Sequence, residues 1–314
     1  MAAAKLKFPG ISDELSEILD AKMDEAPARR RAREAFKDIQ LNIDHILLKV
    51  ATCDGLKTEE RATFLAVLQS YEVNSRGVEI FCKSWLPETS QPKGLVCYCH
   101  GTARKLASSG YGVFAMDYPG FGLSAGLHGY IPSFDRLVDD VIEHYSKVKE
   151  YPEFRTLPSF LFGQSLGGAV ALKVHLKQPN AWSGAILVAP MCKIADDMVP
   201  PFLVKQILIG IANILPKHKL VPQKDLAEAA FRDLKNRELV SLPLLILHGE
   251  NDTVTDPSVS KALYEKASSK DKKCILYKDA FHSLLEGEPD DMIIRVFADI
   301  ISWLDDHSRS STDS

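Results

Sequence analysis

Residues Ser159-Phe160-Leu161-Phe162-Gly163-Gln164-Ser165-Leu166-Gly167-Gly168-Ala169-Val170-Ala171-Leu172-Lys173 decide the fold. The first four read as a buried strand, and the run from Gly168 to Lys173 has the composition of a helix. Between them Gly163-Gln164-Ser165-Leu166-Gly167 makes the sharp strand-to-helix turn on which a nucleophilic serine is carried. A serine at such an apex has strained backbone angles, and only small flanking residues let the strand and helix approach each other. Its hydroxyl is lifted clear at the carboxyl end of the strand, above a helix amino terminus that favours negative charge.

Outward from this turn the same alternation continues. Leu95–Cys99, Val113–Met116, Phe160–Phe162, Ala185–Val188, Leu244–Leu247 and Cys274–Tyr277 are short apolar runs of strand length. Amphipathic stretches separate them, for example Phe134–Lys149, and Asp290–Asp305 with Ile293, Ile294, Phe297, Ile300, Ile301 and Leu304 on one face. This predicts an α/β protein with a mostly parallel sheet covered on both sides. Ahead of it, Tyr71–Val73 and Val78–Trp85 flank Asn74-Ser75-Arg76-Gly77, a hairpin turn. Residues 1–68 read as an N-terminal helical extension, broken at Pro27, and 69–314 as the main domain with a cap insertion at about 191–241. Arg29, Arg30, Arg31 and Arg33 read as a solvated helix face, with a membrane or partner contact as the alternative. From Ser308 onward the chain is polar and reads as a disordered tail.

Composition removes several function classes. The 314 residues carry 38 Lys plus Arg against 42 Asp plus Glu, a formal charge of −4, which gives no reason to expect nucleic-acid binding. Hydrophobic residues at 46% and charged residues at 25% are ordinary for a globular chain. Six cysteines without paired spacing make neither a disulfide framework nor a zinc site and suit a reducing cytoplasm. The first residues lack a signal-peptide core, and Asp13, Glu14, Glu17 and Asp20 argue against a transit peptide.

A serine hydroxyl needs a base to take its proton and an acid to orient that base. On a sheet of this kind the chain order is serine, acid, histidine. His248-Gly249-Glu250-Asn251-Asp252 follows one late strand, and Lys278-Asp279-Ala280-Phe281-His282 follows the last. Asp252 and His282 stand 30 residues apart, room for a loop, a helix and a strand. Asp252 lies deepest in its loop and is preferred as the acid over its competitors Glu250, Asp256 and Asp279. His248, at a strand end, reads as a packing residue, and His100 as a loop brace. The oxyanion formed in acyl transfer needs two N–H donors; Leu166 supplies one, and Thr102, after His100-Gly101, supplies the second. Within the cap, Pro201–Leu215 reads as a helix apolar on most of its surface. Ile207 and Ile211, four apart on one face, are expected to line an acyl pocket, and the same helix offers peripheral contact with a membrane.

Together these residues resemble the plant monoacylglycerol lipase-like and caffeoylshikimate esterase-like serine α/β-hydrolases. The resemblance runs from about Tyr71 to His307, through Asp117-Tyr118-Pro119-Gly120-Phe121-Gly122-Leu123-Ser124, Gly163–Gly168, His248–Asp256 and Phe281-His282-Ser283-Leu284. It implies an α/β-hydrolase fold of eight strands with a helical cap and a Ser165, Asp252, His282 triad that uses no metal and no organic cofactor. It also implies activity on monoacylglycerols, lysophospholipids or hydroxycinnamoyl esters. The chain departs from the family twice: Gly101 runs almost directly into Ala103-Arg104-Lys105-Leu106, and the cap closes early at Asn236–Val240. Only the eleven residues His100 to Gly110 link two strands, which predicts a stub helix over Ala103–Ser108. The short link raises an alternative: a catalytically weak ligand-binding protein on a hydrolase scaffold. No histidine in the catalytic loops is followed by four residues and an aspartate, so water is the expected acyl acceptor.

Overall fold

The computed structural model describes residues 18, 22–35, 65–88, 90–98, 103–191 and 240–309. The cap helix at 201–215, its early close at 236–239, most of the expected N-terminal helices and the His100–Thr102 loop lie outside them. In chain order the elements are α1 (Ala26–Ala35), β1 (Leu65–Val73), β2 (Glu79–Pro87), β3 (Leu95–Tyr98), α2 (Ala103–Ser108), β4 (Gly112–Met116) and α3 (Phe134–Glu150). There follow β5 (Ser159–Gln164), α4 (Leu166–Lys177), β6 (Gly184–Val188), β7 (Leu244–Gly249), α5 (Pro257–Lys266), β8 (Lys272–Tyr277) and α6 (Asp290–Arg309).

The eight strands form one sheet in the order β1-β2-β4-β3-β5-β6-β7-β8. β2 pairs antiparallel with β4 (Cys82 opposite Met116), and from β4 through β3, β5, β6 and β7 to β8 each strand runs parallel to the next. Strands in the middle of a parallel sheet are covered on both faces and therefore read as unbroken apolar runs. β3, β6 and β7 are buried at every position, whereas β8 at the sheet's edge is mostly half-buried. Register lines up the carboxyl ends: Gln164 pairs with Val188, Val188 with Leu247, and Gly249 with Tyr277. Residues that follow β5, β7 and β8 thus emerge at the same end of the sheet.

Alternation then sorts the side chains by face. Val96, Tyr98, Phe160, Phe162, Ile186 and Leu247 pack with Leu106 of α2 and with Val296, Phe297, Ile300 and Leu304 of α6. Residues of opposite parity, such as Leu95, Cys97, Leu161 and Leu187, are equally buried. α3 is anchored through Tyr145, whose hydroxyl donates to the Tyr98 carbonyl at 2.6 Å. Its amino terminus is capped by Ser133, which accepts from the Arg136 N–H. α2 spans the six residues expected from the short link. Among the described residues no helix is long and apolar enough to cross a membrane.

The chain divides into two compact units; the larger takes in 64–70, 82–116 and 132–314, and the smaller includes α1, 71–81 and 117–131. In the smaller unit the hairpin turn is as expected, with Asn74 Oδ1 accepting from the Val78 N–H at 2.9 Å and Gly77 at φ +73°. The arginine run is different. Arg31 and Arg33 are exposed, but Arg29 is buried and donates to the carbonyls of Met23, Asp24, Gly122, Ser124 and Gly126. Arg30 donates to the Leu123 carbonyl and pairs with Glu79. A glycine-rich loop such as 120–129 turns its carbonyls inward, and these need donors that its own backbone does not supply. Two of the four arginines are therefore loop clamps rather than a solvated face. A second correction concerns the tail: α6 runs to Arg309, and Ser308 is buried, its hydroxyl donating to the Leu304 carbonyl at 2.7 Å.

Candidate active site

Ser165 sits between β5 and α4 at φ +52° and ψ −120°, a left-handed region that a non-glycine residue enters only under strain. Main-chain bonds hold it there. Its N–H donates to the Val188 carbonyl at 3.0 Å, and its own carbonyl accepts from Gly168 and Met191, each at 2.9 Å. The glycines answer the crowding: a Cβ on Gly163 would collide with the Gly167 carbonyl, and one on Gly168 would come within 2.6 Å of Pro190 Cβ. Leu166 opens α4, so its N–H is among the first of a helix, which have no acceptor within the helix itself.

After β7 the chain turns at Gly249, where the carbonyls of Ala280 and Phe281 leave no space for a Cβ. The Glu250 N–H donates to Tyr277 and the Asn251 N–H to Ala280, stitching the loop after β7 onto the loop after β8. This contact delivers Asp252 to His282. His282 Nδ1 lies 2.8 Å from Asp252 Oδ2, and His282 Nε2 lies 3.1 Å from Ser165 Oγ. The expected serine, histidine and acid thus form one chain of hydrogen bonds. The competing acids stand elsewhere: Asp256 caps α5 by accepting from the Ser258 N–H at 2.8 Å, while Glu250 and Asp279 are exposed.

Asp252 has partners besides His282. Oδ1 accepts from the Val254 and Thr255 N–H groups at 2.7 and 3.0 Å. Oδ2 accepts from the Thr255 hydroxyl at 2.7 Å and from His248 Nε2 at 3.0 Å, as well as from His282. Burial by itself pushes this carboxyl up, but the bonds from His248, His282 and Thr255 outweigh it and hold the group well below the usual carboxylate range. It is an anion at neutral pH. His248 is therefore no mere packing residue: it is wholly buried, bonds the acid, and meets Ser260 Oγ at 2.7 Å on its other nitrogen. The sequence carried a signal for it, a histidine closing the otherwise apolar run Leu244–Leu247 four residues before Asp252. Thr255 had no such mark. Both rings meet Asp252 by donating to one carboxylate oxygen, which is hydrogen bonding and not a ligand set for a metal.

Thr102, His100, Ile207 and Ile211 lie outside the described residues. Two apolar side chains near these residues in sequence are exposed, Val254 two after the acid and Phe281 next to the histidine.

The family described as Serine aminopeptidase, S33, matches residues 91–241 and 224–290. The chain belongs to this family of serine hydrolases. It is 31% identical over 273 residues to the caffeoylshikimate esterase of Arabidopsis thaliana, covering 73% of this chain and 82% of that protein. It is 27% identical over 282 residues to the monoglyceride lipase of Homo sapiens, covering 76% and 91%. A solved structure of a soluble variant of monoglyceride lipase from Saccharomyces cerevisiae superposes with a TM-score of 0.65 at 21% identity, over 81% of this chain and 99% of that one. The fold is that of the α/β-hydrolases, and the chain is a carboxylic ester hydrolase by class.

Proposed function

We propose that this hydrolase cleaves monoacylglycerol, lysophospholipid or hydroxycinnamoyl esters through an acyl-enzyme on Ser165. The observation that carries the reading is the unbroken chain from Asp252 through His282 to Ser165, at 2.8 and 3.1 Å, with the serine on its strained turn. Because Asp252 is an anion that accepts from His282 Nδ1–H, the lone pair of His282 is left at Nε2, facing the serine. In this mechanism Ser165 Oγ attacks the ester carbonyl as its proton passes to His282 Nε2. The tetrahedral oxyanion is met by the Leu166 N–H and, from the loop outside the described residues, by the Thr102 N–H. His282 then protonates the departing alcohol, and water deprotonated by the same nitrogen releases the acid. Asp252 stays ionised and holds the imidazole throughout.

The names of the relatives, a caffeoylshikimate esterase and monoglyceride lipases, support substrates that join an apolar acid to a polar alcohol. The exposed Val254 and Phe281, neighbours in sequence of the acid and the histidine, suit an apolar acid, and Ile207 and Ile211 of the cap remain its proposed pocket. The cap segment at 201–215 is proposed to touch membranes, where monoacylglycerols and lysophospholipids reside. The test uses a fluorophosphonate probe read by intact mass, followed by a panel of glycerol, lysolipid and phenolic esters without detergent. Ser165→Ala should lose the label, and both it and His282→Ala should lose turnover by about 10⁴-fold or more with circular dichroism unchanged. Turnover that survives Ser165→Ala would end the proposal. A wild-type chain that binds esters but neither labels nor turns over would support the ligand-binding alternative instead.

A further inference from the structure

We propose that His248 is a positioning residue which, with Ser260 behind it, tunes the base His282 by donating a hydrogen bond to the far side of Asp252. The inference rests on the triad reading above and extends it by one residue shell. His248 Nε2 lies within reach of three oxygens, Asp252 Oδ2 at 3.0 Å, the Thr255 carbonyl at 3.1 Å and the Thr255 hydroxyl at 3.3 Å. The carboxylate and the carbonyl cannot donate, and the hydroxyl gives its proton to Asp252 Oδ2 at 2.7 Å, so the proton of the ring stands on Nε2. Nδ1 is then a lone pair, and the Ser260 hydroxyl, 2.7 Å away, donates to it. This serine is fully buried in the first turns of α5, the helix capped by Asp256. The result is a directed chain: Ser260 O–H to His248 Nδ1, and His248 Nε2–H to Asp252 Oδ2.

Chemistry distinguishes this from simple packing. One carboxylate oxygen is shared by two imidazoles, His248 on the buried side and His282 on the side of Ser165, with side chains 0% and 19% exposed respectively. Among the described residues these two rings, from β7 and from the loop after β8, are the titratable groups that bond Asp252; Val254, Thr255 and Ser260 around them are neutral. Each donor withdraws negative charge from Oδ2, and the donation by Ser260 strengthens the His248 N–H in turn. Remove His248 and more charge is concentrated on the oxygen that faces His282. The imidazolium is then better stabilised, and the neutral ring needed as base emerges only at higher pH. An aromatic or aliphatic side chain filling the same space would give identical packing without this effect.

The experiment is the pH profile of kcat/KM for a soluble ester, whose acid limb reports the ionisation of the free enzyme. His248→Phe is expected to move that limb up by about one pH unit, with KM little changed. His248→Gln, whose side-chain N–H reaches about where Nε2 stands, should return the limb to within a few tenths of a unit of wild type. Ser260→Ala, which leaves His248 in place, should move it in the same direction by less, and it serves as the deciding variant if His248→Phe fails to melt cooperatively. An acid limb unmoved or lowered in the foldable variants, or a Gln variant displaced as far as the Phe variant, overturns the proposal. Loss of the triad reading is read separately, from Ser165→Ala, whose activity does not depend on the shell.

Discussion

Replacing Asp252 by asparagine probes the site at its most determined point. Oδ1 of the acid accepts two backbone N–H groups, from Val254 at 2.7 Å and Thr255 at 3.0 Å, so the amide oxygen must take that place and the NH₂ must replace Oδ2. There it meets three donors, and each can yield. The Thr255 hydroxyl rotates to accept, and His248 Nε2–H keeps the Thr255 carbonyl at 3.1 Å. His282 alone pays in function: to accept from the amide at Nδ1 it moves its proton to Nε2, which then faces Ser165 Oγ as a donor and cannot take the serine's proton. The wrong tautomer is expected to lower kcat by about 10⁴-fold, roughly 5.4 kcal/mol of transition-state stabilisation. Stability should fall by only about 1–3 kcal/mol, because the exchange leaves few buried groups unmatched. The assay is hydrolysis of a p-nitrophenyl ester beside the rate of fluorophosphonate labelling, with a melting curve on the same sample. Asp256→Asn is the control, since asparagine caps a helix as well as aspartate does and that side chain is occupied with Ser258. A rate for Asp252→Asn within tenfold of wild type, or an equal loss in Asp256→Asn, would refute the assignment of the acid.

The low pKa of Asp252 has a sign in stability as well as in catalysis. A carboxyl held down in the folded state contributes its full stability above the unfolded value of about 3.9 and loses it as pH falls through the folded value. The melting-temperature gap between wild type and Asp252→Asn should therefore be constant above about pH 5 and close below about pH 4; a gap that widens in acid would contradict the cause given. Gly168→Ala places a Cβ 2.6 Å from Pro190 Cβ and 2.9 Å from Pro190 Cα, so α4 must shift against the loop after β6. It should cost about 1–3 kcal/mol in chemical denaturation and slow labelling of Ser165, whereas unchanged values would mean the turn is looser than its geometry. Arg29→Met removes the donor to five carbonyls in and around α1 and the 120–129 loop, and should cost about 2–4 kcal/mol, with new proteolytic cleavage confined to that loop.

Much of this site was readable because its constraints are local. The sharp turn at Ser165 needs small residues on both sides, so Gly163, Gly167 and Gly168 advertise it in one stretch of chain. Strand and helix alternation was visible because the central strands are covered on both faces and carry no polar interruption. The separation of Asp252 from Glu250, Asp256 and Asp279 rested on loop position alone, and in the structure it is Gly249 against the carbonyls of Ala280 and Phe281 that brings this one carboxylate to His282. That contact joins two loops far apart in sequence and has no local signature. His248, four residues before the acid, was marked by closing an apolar run, whereas Thr255, three residues after it, carried no mark in the sequence. Arg29 and Arg30 looked like any exposed cationic run, since nothing in a sequence says that carbonyls some 90 residues away turn toward them. Helix α6 outlasted the expected tail because Ser308 bonds back to Leu304 and so leaves little polarity to solvate.

The backbone at Ser165 also limits which chemistry this scaffold can host. At φ +52° a side chain branched at Cβ is crowded against its own main chain, so threonine is excluded from the apex although its hydroxyl would be equally acidic. Cysteine, unbranched and of similar shape, is not. A lineage built on this turn can exchange oxygen for sulfur and keep its histidine and its acid where they are. A threonine nucleophile would require a different backbone and, with it, a different fold around the same reaction.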